Sequence, residues 1–148
     1  MKITFCGHSN FISNAEIEQR LLSLLEDLVG DKDVEFYLGG YGNFDAFAYH
    51  CCKKYKIRHK NASLIFVTPY ITPEYQKNHL ENAKALYDMI IYPEIDEKPR
   101  KYALSYRNKY MVEVSDFVIA YVKHDYGGAY KTLMHAKRKG KVIFNLAV

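Results

Sequence analysis

The sequence predicts a three-layer α/β fold, a mostly parallel sheet of about six strands with helices on both faces. Runs such as SLIFVT and FVIAYV are apolar at consecutive positions, as expected for strands buried on both faces. They alternate with segments whose apolar residues recur at helical spacing, the pattern of a parallel sheet covered by its own crossover helices. A chain of 148 residues, 49% of them apolar, has the size of one domain with one core, so residues 1–148 read as a single unit.

KITFC (2–6) is a short strand that stops at Gly7. Ser13 followed by Glu16 has the spacing of a capping box, and Ile17, Leu21, Leu24, Leu25 and Leu28 continue a helix to Gly30. VEFYL (34–38) is the second strand. A helix follows from about Phe44 to Tyr55, with Phe44, Phe47, Ala48, Cys51 and Tyr55 on one side. The third strand is 63–68, ended by Pro69, and a short helix is expected over Pro73 to Ala85. DMIIY (88–92) is a fourth strand, Lys101 to Val114 a helix, FVIAYV (117–122) a fifth strand, Ala129 to Lys139 a helix, and KVIFNL (141–146) the sixth strand.

No apolar run approaches the roughly 18 residues of a membrane span, and MKITFCGHS lacks the apolar stretch of a signal peptide, so a cytoplasmic protein is expected. Cys6, Cys51 and Cys52 have no CxxC spacing and read as free thiols; neither a metal nor a cofactor is expected. The net charge of +4 is concentrated at 53–60, 98–101 and 137–141. Such runs serve a phosphate or nucleic acid, or simply the carbonyl ends of helices. The 14 tyrosines and 8 phenylalanines are either packing residues or stacking platforms for bases.

In parallel sheets ligands bind beyond the carboxyl ends of the strands. Those ends carry CGHSN with Gly7, His8 and Ser9; GGYGNFD with Gly39, Gly40, Gly42, Asn43 and Asp45; TPYIT with Thr68 and Pro69; and VKHDYGGAYKT with Gly127, Gly128, Tyr130 and Thr132. Two of these are glycine-rich and feed helix N-termini, where free N–H groups and the dipole favour an anion. Neither the GxGxxG fingerprint nor a GK[ST] phosphate loop is present, which argues against a classical NAD site or a P-loop.

Arg107 shares a helix face with Leu104 and Met111, which should point at the sheet. A charge there needs a partner: it either reaches past the helix edge to cap a carbonyl, or aims at a carboxylate or phosphate, with Asn108 beside it. RNKYMVEVSDFVIAYV followed by GGAYKT resembles the RKxxM…SDxFIxLPGGxGTxxE core of the Lonely Guy cytokinin-activating phosphoribohydrolases. GGYGNFDAFAYH resembles the SGxxxGIDxxAH stretch of the DNA-processing protein DprA. Both belong to the SLOG superfamily, and the motif order over nearly the whole chain is similar to that of small stand-alone bacterial and phage members typified by the YpsA family.

The resemblance implies a Rossmann-like nucleotide-binding domain and a homodimer. It implies that Arg107 helps to cleave an N-glycosidic bond and that Gly127, Gly128 and Thr132 hold phosphate. The chain departs from the motif at its glutamate, whose place falls on Met134 or His135. An oxocarbenium-like transition state needs a carboxylate, which Asp45, Glu113, Asp116 or Asp125 would have to supply. With the glutamate missing, the leading expectation is binding of a nucleotide or nucleotide-derived small molecule, as a sensor, sequestering or regulatory module. A nucleoside-monophosphate phosphoribohydrolase with Arg107 and Asp45 as its catalytic residues is the alternative, and single-stranded nucleic-acid binding ranks third.

Overall fold

The computed structural model describes residues 1–148. Six strands, β1 (Lys2–Gly7), β2 (Val34–Leu38), β3 (Ala62–Val67), β4 (Met89–Ile91), β5 (Phe117–Tyr121) and β6 (Val142–Asn145), form one sheet in the order β4-β3-β2-β1-β5-β6. Every pairing is parallel, so the sheet is wholly parallel where a mostly parallel one was expected. The helices are α1 (Ala15–Val29), α2 (Asn43–Arg58), α3 (Pro73–Tyr75), α4 (Glu81–Leu86), α5 (Ala103–Val114) and α6 (Gly127–Arg138).

The strand order reverses at β1, which pairs with β2 on one side and β5 on the other. Right-handed crossovers then force the helices into two layers. On one face α1 and α2 bury Ile17, Leu21, Leu25, Phe44, Phe47 and Cys51 against Ile3, Phe36, Leu64 and Ile119. Truncating a fully buried leucine there, such as Leu21, is expected to cost about 2–5 kcal/mol. On the other face α6 packs Leu133 and Ala136 with Val112 of α5 and with Cys6, Val118 and Ala120, while Met111 of α5 covers Tyr37, Ile65 and Val67.

Several local expectations are corrected. The cap of α1 is Asn14, whose side chain accepts from the Ile17 amide at 2.9 Å, and not Ser13. An Asx side chain at that position reaches the third helical N–H as well as a serine would, and the helix therefore begins one residue later. The helix expected over Pro73 to Ala85 runs from Pro73 to Leu86 with a π-turn, Gln76–Leu80, at its centre. The helix expected from Lys101 begins with a 3₁₀ turn, Arg100–Tyr102, before α5. Most importantly for the site, α6 starts at Gly127 and not at Ala129, so both glycines lie in its first turn.

All three cysteines are buried free thiols, and burial pushes the thiols of Cys6 and Cys51 up to about 12. No helix is long and apolar enough to cross a membrane.

Candidate functional site

A cleft of about 720 Å³ opens beyond the carboxyl ends of β1 and β5, where the strand order reverses. Its wall is made by the loop after β1, the start of α2, the N-terminal half of α5 and the first turn of α6. Of the residues singled out in the sequence, Gly7, His8, Ser9, Asp45, Arg107, Asn108, Gly127, Gly128 and Thr132 come together on this wall. Gly39, Gly40, Gly42, Asn43, Thr68, Pro69 and Tyr130 do not.

The reasons lie in local contacts. Arg107, only 2% exposed, donates from Nη1 to the carbonyl oxygens of Gly39 at 2.8 Å and Val67 at 2.7 Å, the backbone where β2 and β3 end. Its Nε donates to Asn108 Oδ1 at 2.9 Å, which fixes the plane of the guanidinium. Of the two readings of this arginine, capping of carbonyls accounts for Nη1. Burial lowers its pKa, opposed by the charge of Asp45, and a guanidinium stays cationic under such conditions.

A Cβ on Gly39 would stand 3.1 Å from Arg107 Cζ and 3.2 Å from Asp45 Oδ2, so the missing side chain is what lets the cation and the carboxylate approach the same strand end. Gly42 has φ +89°, and a Cβ there would lie 2.8 Å from the Ser9 Cα. The Asn43 amide donates to the Ser9 carbonyl at 2.9 Å, and the Tyr41 amide donates to Asp45 Oδ2 at 2.9 Å. The first amide of α2 is thus spent on the first loop, and Asp45 in its first turn binds the amide of Tyr41 just before the helix, although α2, like α6, has no side-chain N-cap. Thr68 spends its hydroxyl in a turn, donating to the Tyr70 carbonyl at 2.8 Å, and Tyr130 packs on the apolar cluster under α6.

The N-terminus of α6 is open. Tyr126 stands at its N-cap with no side-chain cap, no acidic residue occupies its first turn, and nothing lies within 4 Å of where a Cβ on Gly127 or Gly128 would be. Its first N–H groups are unspent and face the cleft wall. Thr132 donates to the Gly128 carbonyl at 3.0 Å, steadying this turn, and Lys131, Lys101 and Lys109 also line the cleft, the Lys101 ammonium lying over the Tyr102 ring and that of Lys109 over Tyr106.

His8 ties the two sides of the strand reversal together. The Lys123 amide, just past β5, donates to His8 Nε2 at 2.9 Å, which leaves the ring proton on Nδ1. Burial, with the neighbouring His124 and Lys123, lowers the His8 pKa, so the ring is neutral near pH 7.

Asp45 is the only carboxylate on the cleft wall. Burial pushes its pKa up to about 6, against the lowering effects of the Tyr41 amide and Arg107. A carboxyl group titrating there is able to exchange a proton with a ligand near neutral pH. The other carboxylates considered are engaged elsewhere or lie off the wall. Glu113 pairs with His135 at 3.1 Å and Lys139 at 3.6 Å, Asp116 accepts from the Lys2 amide at 2.8 Å, and Asp125 is exposed away from the cleft. The glutamate-equivalent positions supply none either: His135 is the partner of Glu113, and Met134 packs under α6.

Sequence reasoning did not single out Tyr41, Lys101, Tyr102, His124, Tyr126 or Lys131, all of which line the cleft. Their signal was present: Lys101 closes the basic run at 98–101, and His124 and Tyr126 sit in the loop that leads into Gly127. No group of three or more His, Cys, Asp or Glu side chains comes together where a metal ion could sit.

No protein-family model matches the chain, and no curated protein matches it. Solved structures do. DNA processing protein A from Helicobacter pylori, described for its single-stranded DNA binding mode, matches over 98% of this chain and 64% of its own with TM-score 0.64 and 19% identity. DprA from Streptococcus pneumoniae matches over 97% of this chain and 49% of its own, with TM-score 0.66 and 16% identity. The fold is the Rossmann-like one of these DNA processing proteins. A structural-genomics protein, TM1055, matches over 96% of this chain and 71% of its own with TM-score 0.58 and 13% identity. The chain spans about half to two thirds of the length of the two DNA processing proteins, and at these identities the likeness is one of fold.

Proposed function

We propose that this protein binds a nucleotide or nucleotide-derived small molecule in the cleft beyond β1 and β5. The observation that carries the reading is the uncapped first turn of α6, with two glycines, no acid and Lys131, facing a cleft that also holds the His8 ring. Backbone N–H groups and the helix dipole favour a phosphate there, and Lys101 and Lys109 add to the attraction. The cleft volume of about 720 Å³ lies in the usual range for small-ligand sites. Calorimetric titration with 5′-AMP tests it: saturable binding that inorganic phosphate displaces is the expected result, and no heat at millimolar ligand contradicts it.

A second reading is single-stranded nucleic-acid binding, favoured by the fold shared with a protein studied for that activity and by lysines interleaved with tyrosines on the cleft rim. An oligonucleotide titrated at increasing salt separates the two. A steep fall of log affinity with log salt marks several phosphate contacts, whereas a single phosphate gives a slope near one.

A further inference from the structure

The chain has 14 tyrosines and 8 phenylalanines, and only three of them are exposed: Tyr41 at 63%, Tyr102 at 49% and Tyr126 at 67%. All three line the cleft. Scattered exposed aromatics need no explanation, but here all three exposed tyrosines border one cavity.

Tyr126 differs from the other two in how it is held. Its ring stacks on His124 with centroids 3.9 Å apart and planes 16° apart, and His124 stacks in turn on His8 at 3.8 Å and 13°. His8 is buried and fixed by the Lys123 amide, and His124 Nδ1 lies 3.2 Å from the Tyr126 carbonyl oxygen. An exposed tyrosine ordinarily retains rotamer freedom that a ligand must remove on binding. Here a three-ring ladder, anchored at its buried end, already holds the ring, with one face covered by His124 and the other left in water. Nothing in the fold requires an aromatic at this helix N-cap, where Ser, Thr, Asn or Asp would satisfy the α6 amides.

Resting on the nucleotide-binding reading, we infer that the free face of Tyr126 is a preorganised stacking platform for the nucleobase, directly beside the phosphate position at Gly127 and Gly128. The ladder continues in the ligand as a fourth ring. The phosphate and base then bind at adjacent residues of one loop, and the ligand class narrows to nucleotides whose base folds back toward the helix N-terminus.

The test compares 5′-AMP with ribose 5-phosphate, which lacks the base, on wild type, Tyr126→Ala and Tyr126→Phe. Melting curves verify that the exposed substitutions leave the fold intact. The wild type is expected to bind AMP about tenfold more tightly than ribose 5-phosphate. Tyr126→Ala should bring AMP down to the ribose 5-phosphate level without altering ribose 5-phosphate affinity, and Tyr126→Phe should keep the preference. Equal wild-type affinity for the two ligands, or an equal loss of both in Tyr126→Ala, overturns the platform while leaving phosphate binding in place. Failure of both ligands to bind overturns both the platform and the reading on which it rests.

Discussion

The two glycine loops of this molecule look alike in sequence and behave differently in structure. In GGYG (39–42) the space a side chain would fill is already taken: by Arg107 and Asp45 at Gly39, by the Phe66 ring at Gly40 and by the Ser9 backbone at Gly42. At Gly127 and Gly128 it is empty. The first loop uses glycine to let the protein approach itself, whereas in the second Gly127 serves a backbone φ of +89° and Gly128 leaves open space. A glycine pair at the start of a helix therefore signals a ligand only when the vacancy is not filled from within.

The largest effect expected from breaking this contrast is at Arg107, the cation over which the first loop closes. Arg107→Met leaves the Gly39 and Val67 carbonyls without their donor, and a stability loss of about 3 kcal/mol or more should appear in chemical denaturation. Gly42→Ala comes next. It places a Cβ against Ser9 at a φ of +89°, and a loss of about 2–3 kcal/mol is expected in the same experiment.

Asp45→Asn sharpens the comparison through pH. The Asp45 pKa is raised from 3.8 to about 6 in the folded state, so the carboxyl contributes stability that is full below pH 3.8 and is lost as pH rises through 6. The asparagine variant should therefore melt higher than wild type at pH 8, by roughly 2 kcal/mol in stability, with the gap closing as pH falls through 6 and vanishing near 4. A gap independent of pH would show that the carboxylate is not desolvated.

The second loop should give the opposite pattern. Gly128→Ala meets no atom and has no positive φ, so stability should be unchanged or rise by up to about 1 kcal/mol. Its Cβ would stand where a phosphate approaches, and AMP affinity should fall about tenfold. Lys131→Ala, exposed and without a protein partner, should leave the melting point unchanged and weaken AMP a few-fold, an effect that salt diminishes.

The strands were legible because a buried parallel strand must be apolar on both faces, and each observed strand lies within a residue or two of its expected bounds. The π-turn at Gln76–Leu80 was not, since the same apolar spacing is compatible with a regular helix. Arg107 stood out as a charge on an apolar helix face. Its acceptors did not, because Gly39 and Val67 belong to strands far away in sequence and meet only in the folded sheet. The glycines announced missing side chains without saying what fills the vacancies. Tyr126 was hidden among 14 tyrosines, and only burial separates it from those that pack the core.

The claim that α6 and not the first glycine loop receives the phosphate can be read from backbone amides in a ¹⁵N-labelled sample titrated with 5′-AMP. The amides of Gly127, Gly128 and Ala129 should shift progressively and saturate while those of Gly40, Gly42 and Asn43 stay in place. Saturating shifts at Gly40 to Asn43 with residues 127–129 unmoved would contradict it.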